Sequence, residues 1–331
     1  MDDSNPLGTP EAPRVIAGFW RRVFGVFIDS LILGACGLFL GFLFSEVFMQ
    51  MGPWGRIVGF LIALLYFGFM NSRIFGGQTL GKRVAKTKVV NRNGEPLGLV
   101  RSFLRYAVLG VPFFLNNSHL PPQLLASWIG TLFSVLVFGF GGSIIYLIIF
   151  NRGTRQSLHD LIVGSYVVKS GVPKSEVAMK MWKGHYLVVV IVLLASIILP
   201  SFLFAKFGNS DFFKPLLSLQ EKIMEEPEVS YAGVIEGQSF FSSPSTGTKK
   251  TTNLAITVFL KARVSDQEML ANKIAEIAFQ NHPRASQKDS VSVNLVDGYD
   301  IGIWSSWRSH GYRYSPQEWE KRLRRKTSNA I

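Results

Sequence analysis

Arg22 is followed by VFGVFIDSLILGACGLFLGFLF over residues 23–44, an apolar run that carries one acid, Asp29. About 20 mostly apolar residues suffice for a helix to cross a bilayer, so this run predicts a membrane span. Four more follow, at residues 55–71, 102–115, 124–150 and 185–205. The 102–115 stretch is short, holds Arg105 near its start and has Pro112 inside. The composition agrees with lipid exposure: charged residues make up 17% of the chain, against roughly 25% in soluble domains. One cysteine, Cys36, excludes an intramolecular disulfide and a cysteine-cluster metal site. Asp2 and Asp3, with an overlong apolar run, argue against a cleavable signal peptide.

Lys and Arg placement orients the spans. The connector between spans two and three holds Arg73, Lys82, Arg83, Lys86, Lys88, Arg92 and Arg101 against Glu95. The connector between spans four and five holds Arg152, Arg155, Lys169, Lys174, Lys180 and Lys183 against Asp160 and Glu176. Residues 45–56 and 116–123 are nearly bare. Both basic connectors are therefore expected in the cytoplasm with the N-terminal segment 1–22, and this parity requires the 102–115 stretch to cross. Five spans leave residues 207–331 outside the cytoplasm, after a cytoplasmic linker at 171–184.

The formal net charge of +13 could suggest nucleic acid as a partner. Its distribution argues otherwise. Residues 1–206 hold 19 basic and 8 acidic residues, and residues 207–331 hold 16 and 14. The surplus lies in the membrane half, where it reads as topology signal and as contact with anionic lipid headgroups.

Asp29 lies about two turns inside the first span, seven residues after Arg22, which puts both on one helix face roughly 10 Å apart along the axis. An unpaired carboxylate at that depth costs on the order of 2.5–3.5 kcal/mol. It must face the bundle, accept hydrogen bonds or take a proton. Two readings stand: a polar anchor clamped by an arginine, or a proton- or cation-binding carboxylate. Arg101, Arg105, Arg155, His159 and Asp160 gather near the same membrane face, and Asp160 could pair with any of those arginines. His159 and Asp160 are adjacent in sequence and expected to diverge, so they are not read as a catalytic dyad. Gly37–Gly41 in span one, and Gly139, Gly142 and Ser143 in span four, have the spacing of close helix packing. The glycine face of span one permits a homo-oligomer.

Gly76-Gly77-Gln78-Thr79-Leu80-Gly81-Lys82-Arg83 comes near a phosphate-binding loop, but Arg83 replaces the Ser/Thr needed for Mg²⁺ and a membrane helix precedes it. Nucleotide hydrolysis is rejected in favour of a glycine-rich turn at the membrane surface that touches lipid phosphates. Lys86–Val90, a turn at Asn91-Arg92-Asn93-Gly94 and Glu95–Leu99 predict a β-hairpin. Gly164–Lys169 is a second β-like run, and a small sheet joining the two connectors is expected.

Taken together, Arg22-Val-Phe-Gly-Val-Phe-Ile-Asp29, Gly76-Gly-Gln-Thr-Leu-Gly-Lys82, Leu99-Val-Arg101-Ser-Phe-Leu-Arg105 and Thr154-Arg155-Gln-Ser-Leu-His159-Asp160 resemble the RDD family of bacterial membrane proteins, over about residues 14–170. The resemblance implies a four-helix membrane bundle with Arg22, Asp29 and Asp160 as the name-giving residues. Gly25 stands where the family often has Ala. Cation/proton exchange, proposed for some members, is what the resemblance implies for activity. It does not extend to the fifth helix or beyond.

Residues 207–331 predict a small soluble α+β domain. Leu254, Ile256, Val258 and Leu260 alternate as in a strand, Ser265–Glu268 opens a helix that ends near Pro283, and Val291, Val293 and Leu295 alternate again. Ile301–Trp304 is expected to continue the β-rich stretch, and Ser315-Pro316-Gln317-Glu318 opens a last helix. Ser239–Thr252 reads as a polar loop. Trp304, Trp307, Arg308 and Trp319 offer a partner surface for an envelope protein, or pack the last helix on the sheet. No catalytic constellation, metal-ligand spacing or cofactor motif stands out, so the chain reads as a membrane protein of the bacterial inner membrane and not as an enzyme. It either moves a small cation or solute, with Arg22 tuning the affinity of Asp29 for a proton, or serves as an anchor or sensor.

Overall fold

The computed structural model describes residues 15–116, 118, 124, 127–171, 180–208, 210–243 and 247–329. Most of the expected N-terminal segment and of the 171–184 linker lies outside these residues. The chain divides into two compact units. One takes residues up to Ile32, Ala63–Pro112 and Phe140–Val192; the other takes Leu33–Ile62, Phe113–Gly139 and everything from Leu193 onward.

Helix α1 (Phe19–Met51) and helix α2 (Gly55–Met70) join through a single 3₁₀ turn at Gly52–Trp54. Helix α3 (Leu80–Val84) and strand β1 (Thr87–Val90) precede helix α4 (Leu99–Leu115), which carries Pro112 inside it. Helix α5 (Trp128–Ser134) passes through a π-helical stretch, Val135–Phe140, into α6 (Gly141–Phe150). Helix α7 (Leu158–Val163), strand β2 (Tyr166–Lys169) and helix α8 (Gly184–Phe207) complete this half of the chain. Among the described residues, Phe19–Met70, Trp128–Phe150 and Gly184–Phe207 are long and apolar enough to cross a membrane, by length and composition. Many of the side chains they expose are large and apolar, such as Phe24, Phe27, Phe39, Leu187 and Val190, the surface expected of helices in lipid. The small residues of span four serve close packing as expected: a Cβ on Gly139 would stand 2.6 Å from Ser196 Oγ, and one on Gly142 would stand 3.3 Å from Val192.

β1 does not form the expected hairpin. It pairs antiparallel with β2, Val89 opposite Val167, and Ile16 bridges the far side of β2 at Val168. The turn at Asn91–Gly94 does form, with Gly94 N–H donating to Asn91 O. The arm beyond it contains Pro96, which has no N–H for a ladder, and Leu97 bridges Ser72 instead. The sheet joining the two connectors is therefore present, built from partners far apart in sequence.

The C-terminal part folds as helix α9 (Phe213–Met224), strands β3 (Val229–Ser243) and β4 (Gly247–Leu260), helix α10 (Gln267–Asn281), strands β5 (Ser290–Asp300) and β6 (Ser305–Tyr314), and helix α11 (Pro316–Asn329). The sheet order is β3-β4-β5-β6. β4 and β5 run parallel because α10 crosses between them, and the outer pairs are antiparallel. Alternate residues of β4 (Leu254, Ile256, Val258) and β5 (Val291, Val293, Leu295) are buried in one core with α9, α10 and Trp319 of α11. This is the α+β architecture expected. Both helices start where expected, but the cap of α10 is Asp266, which accepts from Met269 N–H, and not Ser265 of the Ser265–Glu268 box, while Ser315 and Glu318 exchange hydrogen bonds at the head of α11 as expected. Two expectations fail. Ser239–Thr252 is not one polar loop: among its described residues, Ser239–Ser243 and Gly247–Thr252 are hairpin arms, with Gln238 opposite Thr252 and Phe240 opposite Lys250, in a stretch where Phe and Thr favour strand, while residues 244–246 lie outside the described residues. Ile301–Trp304 is not strand either. It is the β5–β6 turn, closed by Ile301 N–H to Trp304 O at 3.0 Å, with Gly302 at φ +78°.

Candidate functional site

Asp29 is fully buried. Tyr66 Oη of α2 donates to its Oδ1 at 2.7 Å, Thr79 Oγ1 donates to Oδ2 at 2.6 Å, and Gly81 N–H donates to Oδ1 at 2.8 Å. Thr79 is also the N-cap of α3, accepting from Lys82 N–H. Among the described residues no cationic side chain lies within 4.0 Å of the Asp29 carboxylate. The arginine clamp foreseen from Arg22 is thus replaced by two hydroxyls and an amide. The glycine-rich turn directs the Thr79 hydroxyl and the Gly81 N–H inward onto Asp29. Its glycines are needed for that approach: a Cβ on Gly81 would stand 2.0 Å from Gly25 O and 2.8 Å from Asp29 Cγ, and Gly77 combines φ +74° with a Cβ position 2.3 Å from Val89 O. Gly76 is left-handed at φ +69° with open space around it. A Cβ on Gly25 would meet Ala85 at 3.4 Å, an ordinary contact.

Asp160 is held differently. Arg105 donates from Nε and Nη2 to Oδ1 at 2.9 and 2.8 Å, Ser165 Oγ donates to the same oxygen at 2.7 Å, and Arg22 Nη1 lies 3.7 Å from Oδ2. Arg22 also donates to the carbonyls of Ala17, Arg155 and Val167, so it ties the start of α1 to β2 and to the head of α7. Arg155 enters through that carbonyl, and Arg101 stands exposed on the first turn of α4; neither pairs with Asp160. Burial opposes the Asp160 charge, yet Arg105 and Arg22 hold the carboxyl well below the usual range.

His159 and Asp160 do not diverge as adjacent residues were expected to; both reach Arg105. A guanidinium only donates, so Arg105 Nη2 at 3.2 Å makes His159 Nε2 the acceptor and leaves Nδ1 to donate to Ser157 Oγ at 2.6 Å. Burial pushes the imidazole down to about 3, and it is neutral. Lys82 is buried too, its ammonium 5.6 Å from the centre of the Phe67 ring. Burial, with Arg105 adding to it, pushes the amine down to about 8.

In the other unit, the β5–β6 turn lies against α1 and α2. Arg56 Nη1 donates to Asp300 Oδ2 at 2.7 Å, and the same guanidinium donates to the carbonyls of Phe113 and Phe114 at the end of α4. Gly37 and Gly41, read as a helix-pairing face, meet this turn instead: a Cβ on Gly37 would stand 2.7 Å from Trp304 Cβ, and one on Gly41 would strike the Tyr299 ring. The aromatic cluster splits. Trp319 is fully buried, donates Nε1–H to Val291 O at 3.0 Å and stacks edge-on with Tyr314. Trp304 and Trp307 are exposed, and Arg308 pairs with Asp297 at 2.7 Å.

Tyr66, Ser165 and the Arg56–Asp300 pair had no place in the sequence reading. Tyr66 could have been found. It is the only hydroxyl in the 55–71 stretch, and a buried Tyr needs an acceptor.

Residues 16–164 match the model of the RDD family. The uncharacterized protein YckC of Bacillus subtilis is 26% identical over 151 residues, covering 46% of this chain and 83% of that protein. The uncharacterized protein YxaI of the same organism is 25% identical over 124 residues, covering 30% of this chain and 82% of that protein. The RDD match ends at residue 164, ahead of α8 and the C-terminal α+β part.

Proposed function

We propose that this RDD-family membrane protein moves a small cation or a proton, and that Asp29 is the group that takes it up and releases it. The contrast between the two carboxylates carries the reading. Asp160 is bound by guanidinium groups, which do not give up protons, so it stays ionised and acts as a structural lock. Asp29 is bound by two hydroxyls and one amide. The hydroxyls of Tyr66 and Thr79 rotate and either donate or accept, so the same cage holds a carboxylate or a carboxylic acid. Among the described residues no cationic side chain lies within 4.0 Å of Asp29, and buried Lys82 acts on it only at longer range, so an ionised Asp29 is costly in lipid, and a proton or cation offsets that cost. The topology that goes with this reading has five crossings and the N-terminus and basic connectors in the cytoplasm. The β1–β2 pairing supports it, since hydrogen-bonded strands share one side of a membrane. The Arg56–Asp300 pair supports it likewise for the α1–α2 connection and the β5–β6 turn. No step of this function requires an enzyme's chemistry.

The test is proton flux in vesicles containing the purified protein, driven by gradients of individual monovalent cations. Wild type is expected to exchange, and Asp29→Asn to abolish exchange while remaining folded. Absence of wild-type flux with every cation leaves the second reading, an anchor or sensor. The exposed Trp304 and Trp307 favour that one, as a surface for an envelope partner; crosslinking of the full chain to one defined envelope protein would support it.

A further inference from the structure

A second site lies apart from Asp29, on the outside of the RDD domain. The Asn91–Gly94 turn, the first two turns of α4 and the end of α7 border an open cleft of about 550 Å³. Arg92 and Arg101 line it with Asn91 and Asn93, and Leu104 and Ile162 give it an apolar wall. Arg101 and Leu104 are three residues apart on α4, so they share a face. Leu104 and Ile162 are both about half exposed, at 46% and 47%, and Val100 beside them is 80% exposed. Cationic and amide groups thus adjoin apolar side chains that are half exposed or more.

We infer that this cleft binds the phosphodiester headgroup of an anionic phospholipid, with Arg92 and Arg101 on the phosphate and the start of an acyl chain along Leu104 and Ile162. Guanidinium groups match phosphate oxygens with paired N–H donors. Basic pockets beside membrane helices are a known way of holding lipid headgroups. A soluble phosphate would use the arginines but not the apolar wall, so the exposed Val100, Leu104 and Ile162 favour the lipid. The turn that carries Arg92 is pre-formed: Asn91 N–H donates to Glu95 O at 2.7 Å, Glu95 N–H donates to Asn91 Oδ1 at 3.0 Å, and Gly94 N–H closes on Asn91 O at 3.1 Å. Little ordering is then left to occur on binding.

The experiment uses the full chain in a neutral detergent, stripped of lipid, and follows its melting midpoint on adding phosphatidylglycerol, phosphatidylcholine, glycerol phosphate or inorganic phosphate. Phosphatidylglycerol is expected to raise the midpoint by several degrees, and the other three to leave it near the lipid-free value. The double variant Arg92→Gln/Arg101→Gln is expected to lose at least half of that shift. The charge-matched double variant Arg73→Gln/Arg152→Gln, at exposed arginines outside the cleft, is expected to keep it. Equal loss in both double variants would reduce the effect to general charge attraction and overturn the site. An equal shift with inorganic phosphate would overturn the lipid as its occupant.

Discussion

Asp160 accepts from guanidinium groups while Asp29 accepts from hydroxyls and an amide, and the two respond differently to the same substitution. Asp160→Asn leaves Arg105 and Arg22 enclosed without their countercharge. Removing one partner of a buried pair costs about 3–5 kcal/mol, so the variant is expected to lose most of its cooperative melting in detergent. Asp29→Asn keeps an acceptor for Gly81 N–H, and its amide can donate to Thr79 Oγ1, for a cost of about 1 kcal/mol. The ranking of the two midpoints checks this. His159 adds a dependence on pH. Its folded-state value near 3 lies below the ordinary 6.5, so the unfolded chain binds the extra proton between those limits. The stability it contributes is present above about 6.5 and is lost as pH falls toward 3. His159→Gln is expected to flatten the melting midpoint across that window, as seen in a pH series of detergent-solubilised protein. Asp29 was legible in the sequence, as the only acid in its span, and so was its need for partners. Their identity was not, because a helix face records which residues point inward but not which connector comes back to meet them.

At the scale of elements, close approach decides which glycines are required. Gly81→Ala places a methyl group 2.0 Å from the Gly25 carbonyl and is expected to cost about 1–3 kcal/mol, as overpacking does, with loss of the Asp29–Gly81 hydrogen bond. Gly25→Ala adds only an ordinary contact and is expected to be neutral or slightly stabilising, since Ala favours a helix over Gly by about 1 kcal/mol. Comparing the two midpoints tests the approach directly. The β5–β6 turn makes a second such demand. A Cβ on Gly59 would stand 1.7 Å from Ile301 O, so Gly59→Val is expected to lift the turn off α2 and expose Tyr299–Trp304 to hydrogen exchange, with the core around Trp319 still protected. A GxxxG pattern signals that something comes close; it does not say whether that is a helix or a turn.

At the scale of the molecule, the β1–β2 ladder makes a claim about both basic connectors together. Cysteine variants at Lys88 and Lys169, made in a chain with Cys36→Ser, are expected to react with a membrane-impermeant thiol reagent from the same side in oriented vesicles. Labelling from opposite sides would break the ladder and the five-crossing topology with it. Where lipid-compatible helices and the α+β part fall can be read along the chain, because hydrophobic run length and strand alternation are local properties. The start of α11 was legible too, since Ser315–Glu318 act within one turn, and that of α10 to within one residue, Asp266 taking the cap in place of Ser265. That Asp160 belongs to Arg105, that β1 pairs with β2, and that Thr79 and Gly81 close over Asp29 came from the folded arrangement alone. Each of those contacts joins residues 50 or more positions apart, and complementary donors and acceptors at such distances are chosen by packing, not by neighbours in the chain.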